Sequence, residues 1–425
     1  MGRVTGRPRL LFLCQTLPYP PDGGVWIRSY HVLRLLSRAF DVTALCFERA
    51  ATSNAGSAEA IATARRILGR FAAVDVFRIP QRHSGTRFAW DHSRSLLSGR
   101  PYTAYLYDST EFRSRLTSLL DVHAFDLVHM DSLDLAGYLP ACAGTPVVCV
   151  HHDVEWEQLD RRAAIESSAW RSAYLRHQAR LTQQMARRCA DRVTLHVAVS
   201  EPDRAALRRV MPAACIAVVP NGVDLDEFHP AAADGGRGVA FAGGTNWFPN
   251  LDALEHFCSD IRPHLHRLAG QVPARWIGNA TPRQQQHYRE CFGVELTGYV
   301  DDVRPHLRDA ACHIVPLRAG SGTRLKILNS WAMGKPVVST SVGCEGLDAV
   351  DGHNILIEDN PARFAAAVAA VLRDPALRRR LGSGGRATAE RLYSWEVVGR
   401  GMIDCYSEIA HAGHHAGRVA AAARG

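Results

Sequence analysis

The sequence predicts an α/β protein built from two doubly wound parallel-sheet domains. Three observations carry that prediction. Arg9 to Thr16 (RLLFLCQT) is a continuous apolar run of the kind buried in a parallel sheet; a Pro/Gly loop, a helix near Val25 to Arg38 and a strand at Asp41 to Phe47 follow it. After AAADGGRG at Ala231 to Gly238, which reads as a linker, the same order restarts with a strand at Gly238 to Gly243, a Gly loop and a helix near Asn250 to Arg267. Ile314 to Leu347 repeats it as strand, Gly-rich loop, helix, turn and strand. With 425 residues there is enough chain for two cores.

The remaining elements follow in order. Ala50 to Ala60 reads as a loop, Ile61 to Phe71 as a helix and Ala73 to Ile79 as a strand. Asp126 to Met130, Pro146 to Val150 and Val193 to Ser200 are strands, and Trp156 to Cys189 is one long helical stretch broken at most once. In the second half, Ala274 to Gly278 and Val294 to Val300 are strands, and Phe364 to Leu372 and Pro375 to Arg391 are helices. Tyr393-Ser394-Trp395 opens a final helix to about Ala410, and the Ala/Gly/His/Arg-rich 411–425 predicts a disordered tail. The expected division is 1–215 for the first domain, completed by the helix 394–410, and 216–393 for the second.

Composition narrows the partners. The net charge of +8 suits a phosphate, a nucleotide or an anionic membrane surface. Arg161 to Arg188 is a basic helical stretch with few acids, which fits such a surface as a peripheral contact, or a solvated helix face. The eleven cysteines show no C-x-x-C and no zinc spacing, and several lie in apolar runs, as buried thiols of a reducing compartment do. Leu10 to Cys14 is too short for a signal or membrane segment, so a cytoplasmic location is expected. No nucleic-acid partner is expected.

The chemistry gathers at strand ends. Gly320, Ser321, Gly322, Thr323 and Arg324 form a loop that feeds a helix, with Ser321 or Thr323 as its cap. Free backbone N–H groups and the helix dipole make such a terminus an anion site. Lys326 lies in the first helical turn, and Asn329 follows on the same face. Only two lysines occur among the 50 basic residues, Lys326 and Lys335. Lys is a compact point charge where Arg is a planar fork, so Lys326 is assigned to a ligand phosphate and Lys335 to a solvated turn. Pro146 to Val150 delivers His151, His152, Asp153 and Glu155 at its carboxyl end, where an α/β sheet presents chemistry. Asp224-Leu225-Asp226 spells D-x-D inside a turn, with Asp224 as a turn cap, and no metal ligand set is assigned.

The stretch WAMGKPVV resembles the second half of the nucleotide-sugar motif of family-4 glycosyltransferases, and VPNGVDLDEF resembles their inter-domain turn. The family's paired Glu positions hold Ser321 and Asn329 here. Gly320, Gly322 and Lys326 match a branch with G-x-G-x-x-x-K in place of the first Glu, whereas Asn329 departs from the Glu that binds the donor ribose. A hydrogen bond to a charged group contributes about 1.5–3 kcal/mol and a neutral one about 0.5–1.5 kcal/mol, so the exchange tunes affinity by under tenfold. The resemblance implies the GT-B fold: two Rossmann-like domains facing across a cleft, with a C-terminal helix crossing back to the first. It implies transfer of a sugar from a nucleoside-diphosphate-sugar donor to an acceptor hydroxyl of a glycan, lipid-linked sugar or polysaccharide, with retention and without metal or other cofactor. His152, matching a strand end of type H-N-x-E or H-D, then contacts the reacting sugar or acceptor. Gly23 and Gly24 line the acceptor side, Gly243 and Gly244 approach the phosphates, and Gly298, Tyr299 and Val300 touch the base. Tyr299 is open to stacking on the base or to core packing. A sugar-nucleotide epimerase and a non-catalytic nucleotide-sugar binder are the alternatives.

Overall fold

The computed structural model describes residues 6–48, 58–80, 85–230, 236–320 and 324–422, with side chains as far as residue 412. The loop expected at Ala50 to Ala60 lies largely outside these residues, as do Ser321, Gly322 and Thr323. The chain forms two compact units, 1–219 with 399–425, and 220–398.

In the first unit, strands β1 (Arg9–Cys14), β2 (Asp41–Phe47), β3 (Ala73–Phe77), β4 (Leu127–Met130), β5 (Val147–Val150), β6 (Leu195–Ala198) and β7 (Ile216–Val218) pair in parallel in the order β3-β2-β1-β4-β5-β6-β7. Leu10 to Cys14 are fully buried because β1 is central and covered on both faces. The order reverses between β1 and β4, which leaves a crevice beyond their carboxyl ends. The expected boundary at 215/216 is corrected by β7. Its residues Ile216–Val218 pair with His196–Ala198, so they belong to the first sheet.

The second unit repeats the scheme. Strands β8 (Val239–Ala242), β9 (Ala274–Ile277), β10 (Val294–Leu296), β11 (Cys312–Val315), β12 (Val337–Ser339) and β13 (Leu356–Ile357) are ordered β10-β9-β8-β11-β12-β13, all parallel. The reversal here falls between β8 and β11. Trp276 and Trp331 anchor the core; the Trp331 indole N–H donates to the Asn354 carbonyl at 2.8 Å, which satisfies its polar end.

The long helical stretch is broken once, into Glu155–Ile165 and Ala169–Cys189, and the Ser172 hydroxyl ties the two pieces by donating to the Ala163 carbonyl at 2.6 Å. The last helix, Trp395–Ala422, replaces the tail expected from residue 411, so that expectation is corrected; Ala-rich sequence favours continued helix. Trp395, Val398, Met402, Tyr406 and Ala410 form its buried stripe, and from Gly399 onward it packs in the first unit.

Close approach of backbones makes one glycine indispensable. A Cβ on Gly382, in the helix Pro375–Thr388, would lie 2.1 Å from the Gly334 carbonyl oxygen, where no side chain can yield. Gly382→Ala is expected to destabilise the second unit by about 1–3 kcal/mol, lowering its melting temperature by about 2–4 °C per kcal/mol; an unchanged thermal transition would contradict this packing.

Candidate active site

Two side-chain clusters lie at the two points where strand order reverses, one in each unit. In the second unit, the turn after β11 leads into the helix Leu325–Ala332. Its N-cap position is Arg324; Ser321 and Thr323, the caps expected from the sequence, lie outside the described residues. Gly320 has φ +134°, a backbone conformation that favours glycine, and its Cα side faces the Arg324 guanidinium. That guanidinium donates to the Val342 carbonyl at 3.2 Å and lies 3.9 Å from Glu345.

Lys326 Nζ donates to Asn250 Oδ1 at 2.7 Å and sits 4.0 Å from the centre of the Phe241 ring. Asn250 Nδ2 donates in turn to the Gly244 carbonyl at 3.0 Å. One amide therefore joins the turn after β8 to the lysine after β11. The Phe241 ring is itself fixed by stacking on Trp276, with centroids 3.9 Å apart. Burial, then the nearby Arg324 charge, pushes the Lys326 ammonium well below the ordinary lysine range. Its hydrogen-bond partner is a neutral amide, not a carboxylate.

The other second-unit candidates take these places. A Cβ on Gly243 would lie 2.7 Å from Asn250 Nδ2, one on Gly244 2.5 Å from Asn246 Oδ1, and one on Gly298 2.7 Å from Gln285 Nε2, so backbone alone fits there. Tyr299 is 61% exposed, which removes the core-packing alternative, while Val300 packs against the small cluster around Ile277 and Leu307. Asn329 lies on the helix face that carries Lys326, opposite the buried Ile327, Leu328 and Trp331. Lys335 departs from the solvated turn expected of it. Its ammonium donates to the carbonyls of Arg308 and Ala310 at 2.5 and 3.1 Å. Asp224 acts as a turn cap, accepting from the N–H groups of Asp226 and Glu227, each at 3.1 Å. An open depression of about 450 Å³ lies at the amino ends of β8 and β9, away from this chemistry, and its Arg275 is paired with Glu295 and Asp309.

In the first unit the hub is Asp131, directly after β4. Its Oδ2 accepts from Ser29 Oγ at 2.6 Å and from the Cys14 thiol at 3.2 Å. Its Oδ1 lies 3.4 Å from both His129 Nε2 and His152 Nε2. The His152 approach lacks hydrogen-bond alignment. Burial alone would raise this carboxyl, but the His152 and His129 rings outweigh it and hold Asp131 well below the usual carboxylate range. His129 Nδ1 pairs with the Tyr406 hydroxyl at 2.9 Å, and its ring stacks on Phe12. The buried Arg28, brought down to about 10 by burial, donates to the Val219 carbonyl at 2.9 Å. Gly23 is the N-cap of the helix Gly24–Leu36, and a Cβ on it would strike the Trp26 ring. Burial and the neighbouring Asp153 push the Asp134 carboxyl up, and Glu155 is raised for the same reasons, burial first.

Cys149, His151 and His196 place one ligand atom each within 4.8 Å of one another. The two rings already satisfy each other, with His151 Nε2 and His196 Nδ1 3.0 Å apart. Burial lowers them to about 3 and about 4, which keeps both neutral. Sequence reasoning singled out His152 and Lys326, which lie in these two clusters, but not their neighbours Asn250, Phe241, Asp131 and Tyr406. Position at a strand's carboxyl end was a usable signal for Asp131; nothing local marks Tyr406.

Two Rossmann-ordered units, each with charged or histidine side chains at its switch point, make up a GT-B fold. The chain belongs to the glycosyltransferases: the family described as Glycosyltransferase Family 4 matches residues 22–227, and Glycosyl transferases group 1 matches 236–374. It is 28% identical over 218 residues to a D-inositol 3-phosphate glycosyltransferase of Streptomyces bingchenggensis, covering 45% of this chain and 48% of that protein. It is 27% identical over 213 residues to a phosphatidyl-myo-inositol mannosyltransferase of Mycobacterium tuberculosis, covering 46% and 54%. The chain thus spans about half the length of the curated relatives it matches. Anabaena HepE in complex with UDP shares the GT-B fold, with a TM-score of 0.65 at 15% identity over 94% of this chain and all of that one.

Asp131 gives a pH-dependent prediction. Its folded pKa lies below the unfolded value of about 3.9, so its stabilisation is present above that value and lost as pH falls through the folded pKa. Asp131→Asn is expected to cost about 3 kcal/mol at neutral pH and to flatten the acid limb of stability measured by denaturant unfolding. An equally steep acid limb in the variant would contradict the assignment.

Proposed function

We propose that the chain transfers a sugar from a nucleoside-diphosphate-sugar donor to an acceptor hydroxyl, with retention of anomeric configuration and without a metal. The observation that carries this reading is Lys326, an enclosed ammonium beside Arg324 whose partner is a neutral amide. A diphosphate would supply the missing counter-charge. The N–H groups at the start of the helix Leu325–Ala332 add partial positive charge at the same place. Together they stabilise the diphosphate as the bond to the sugar breaks and the pair of electrons leaves with phosphate oxygen. The backbone at Gly243 and Gly244 lets the phosphates approach, with Ser321, Gly322 and Thr323 in the adjoining loop. Gly298, Tyr299 and Val300 serve the base, the exposed Tyr299 ring by stacking. Asn329 accepts a ribose hydroxyl proton through its amide oxygen.

His152, held by the Asp131 charge, orients the reacting sugar or the acceptor in the first unit, with Gly23 and Gly24 on the acceptor side. A glycan, a lipid-linked sugar or a growing polysaccharide is the acceptor in this reading, handled in the cytoplasm at the inner face of an anionic membrane. The capture of HepE with UDP makes uridine the first nucleotide to try.

Calorimetric titration with UDP, GDP and ADP and their sugar conjugates is the test. One nucleotide is expected to bind, and Lys326→Ala to weaken it at least about tenfold, the loss of one charge-assisted contact. No nucleotide binding, or equal binding by Lys326→Ala, would overturn the donor site. Binding without transfer to any acceptor would favour the non-catalytic reading that Asn329 suggests.

A further inference from the structure

The helix Gly85–Ser98 is built inside out. Its buried residues are Asp91 and Ser95, both polar. Ser95 Oγ donates to the Arg100 carbonyl at 2.7 Å and accepts from Gln178 Nε2 at 2.9 Å. Asp91 lies 3.6 Å from Arg87 and 3.9 Å from Arg94. The apolar residues face water instead: Trp90 is 62% exposed, Leu96 57% and Leu97 88%. Trp90 and Leu97, seven residues apart, lie along one line of the helix with Leu96 on its flank.

A second helix extends the patch. His92 Nδ1 meets the Tyr174 hydroxyl at 2.5 Å, and Ser95 meets Gln178 one turn later. These two contacts tie Gly85–Ser98 to Ala169–Cys189. Phe88, whose ring lies 4.4 Å from that of His92, and Trp170 are exposed as well. The Arg171 guanidinium sits 5.2 Å from the Trp170 ring. Helix Ala169–Cys189 carries Arg171, Arg176, Arg180, Arg187 and Arg188 and no Asp or Glu.

We infer that these two helices form a docking surface for an anionic lipid bilayer. Exposed aromatic and leucine side chains beside a purely basic helix match the boundary between lipid headgroups and acyl chains, where aromatic rings settle and Arg meets phosphate. A second copy of the chain suits the surface poorly, because it would set one acid-free arginine helix near another. Among the described residues no helix is long and apolar enough to cross a membrane, so the contact lies on the surface. The inference deepens the inner-membrane part of the proposed function, and it stands apart from the donor site, whose residues are elsewhere in the chain.

Co-sedimentation of the full chain with vesicles of phosphatidylcholine, with and without phosphatidylglycerol, tests it. Binding is expected only with phosphatidylglycerol and is expected to weaken as salt rises. The double variant Trp90→Ser, Leu97→Ser is expected to bind at least about tenfold more weakly, with unchanged circular dichroism and unchanged nucleotide affinity. Binding of the double variant at wild-type strength, equal pelleting with neutral vesicles, or no vesicle binding would overturn the inference. Concentration-dependent self-association lost in the double variant, with no vesicle binding, would assign the surface to a second copy. Because nucleotide affinity is read on the same samples, failure here is distinct from failure of the donor site.

Discussion

The proposed donor site depends on a single hydrogen bond, from Lys326 Nζ to the Asn250 side chain. Asn250 lies in the first turn of the helix Phe248–His256 after β8 and Lys326 in the first turn of the helix after β11, the two strands that flank the reversal of order in the second sheet. Because all strands run the same way, both turns emerge at the same edge. The amide holds the lysine with its oxygen and the Gly244 carbonyl with its nitrogen, so a ligand that took hold of Lys326 would act on both turns. Phe241 beneath the ammonium offers a quadrupole but no negative charge. The site is thus strained electrically: a cation is enclosed next to Arg324 and is paired only weakly. Ligand anions relieve such an arrangement, and a carboxylate in place of Asn250 would have removed the need for one.

The first unit solves the opposite problem at its own reversal point. There the charge at the centre is Asp131; Ser29, Cys14 and His129 donate to it, and the His152 ring lies 3.4 Å away without hydrogen-bond alignment. Fixing a buried carboxylate this way costs desolvation, which the surrounding donors offset, and it leaves the His152 ring beside the charge. The last helix contributes through Tyr406, which holds His129 and so reaches the same network.

Much of the architecture was legible because parallel strands are written as uninterrupted apolar runs. Asp41–Phe47 is read to the residue, and Leu10 to Cys14 needs no partner information to be seen as central. Lys326 stood out because lysine is nearly absent from the chain. What could not be read was long-range pairing. Tyr406 meets His129 across 277 residues, and Asn250 meets Lys326 across 76, and neither contact has a local signature. The final helix continued past 410 because alanine favours helix. The inverted helix Gly85–Ser98 could not be recognised either: an amphipathic pattern gives a face, and only packing decides which face is inside.

The scarcity of lysine makes the central claim directly measurable. Selective isotopic labelling of lysine yields signals from Lys326 and Lys335 alone, assigned with Lys335→Arg, and each ammonium can be titrated by NMR. Without nucleotide, Lys326 is predicted to titrate well below the ordinary lysine range; with saturating UDP its pKa is predicted to rise, because phosphate favours the charged form. A Lys326 titration that UDP, GDP and ADP all leave unchanged would contradict the placement of a diphosphate at this lysine.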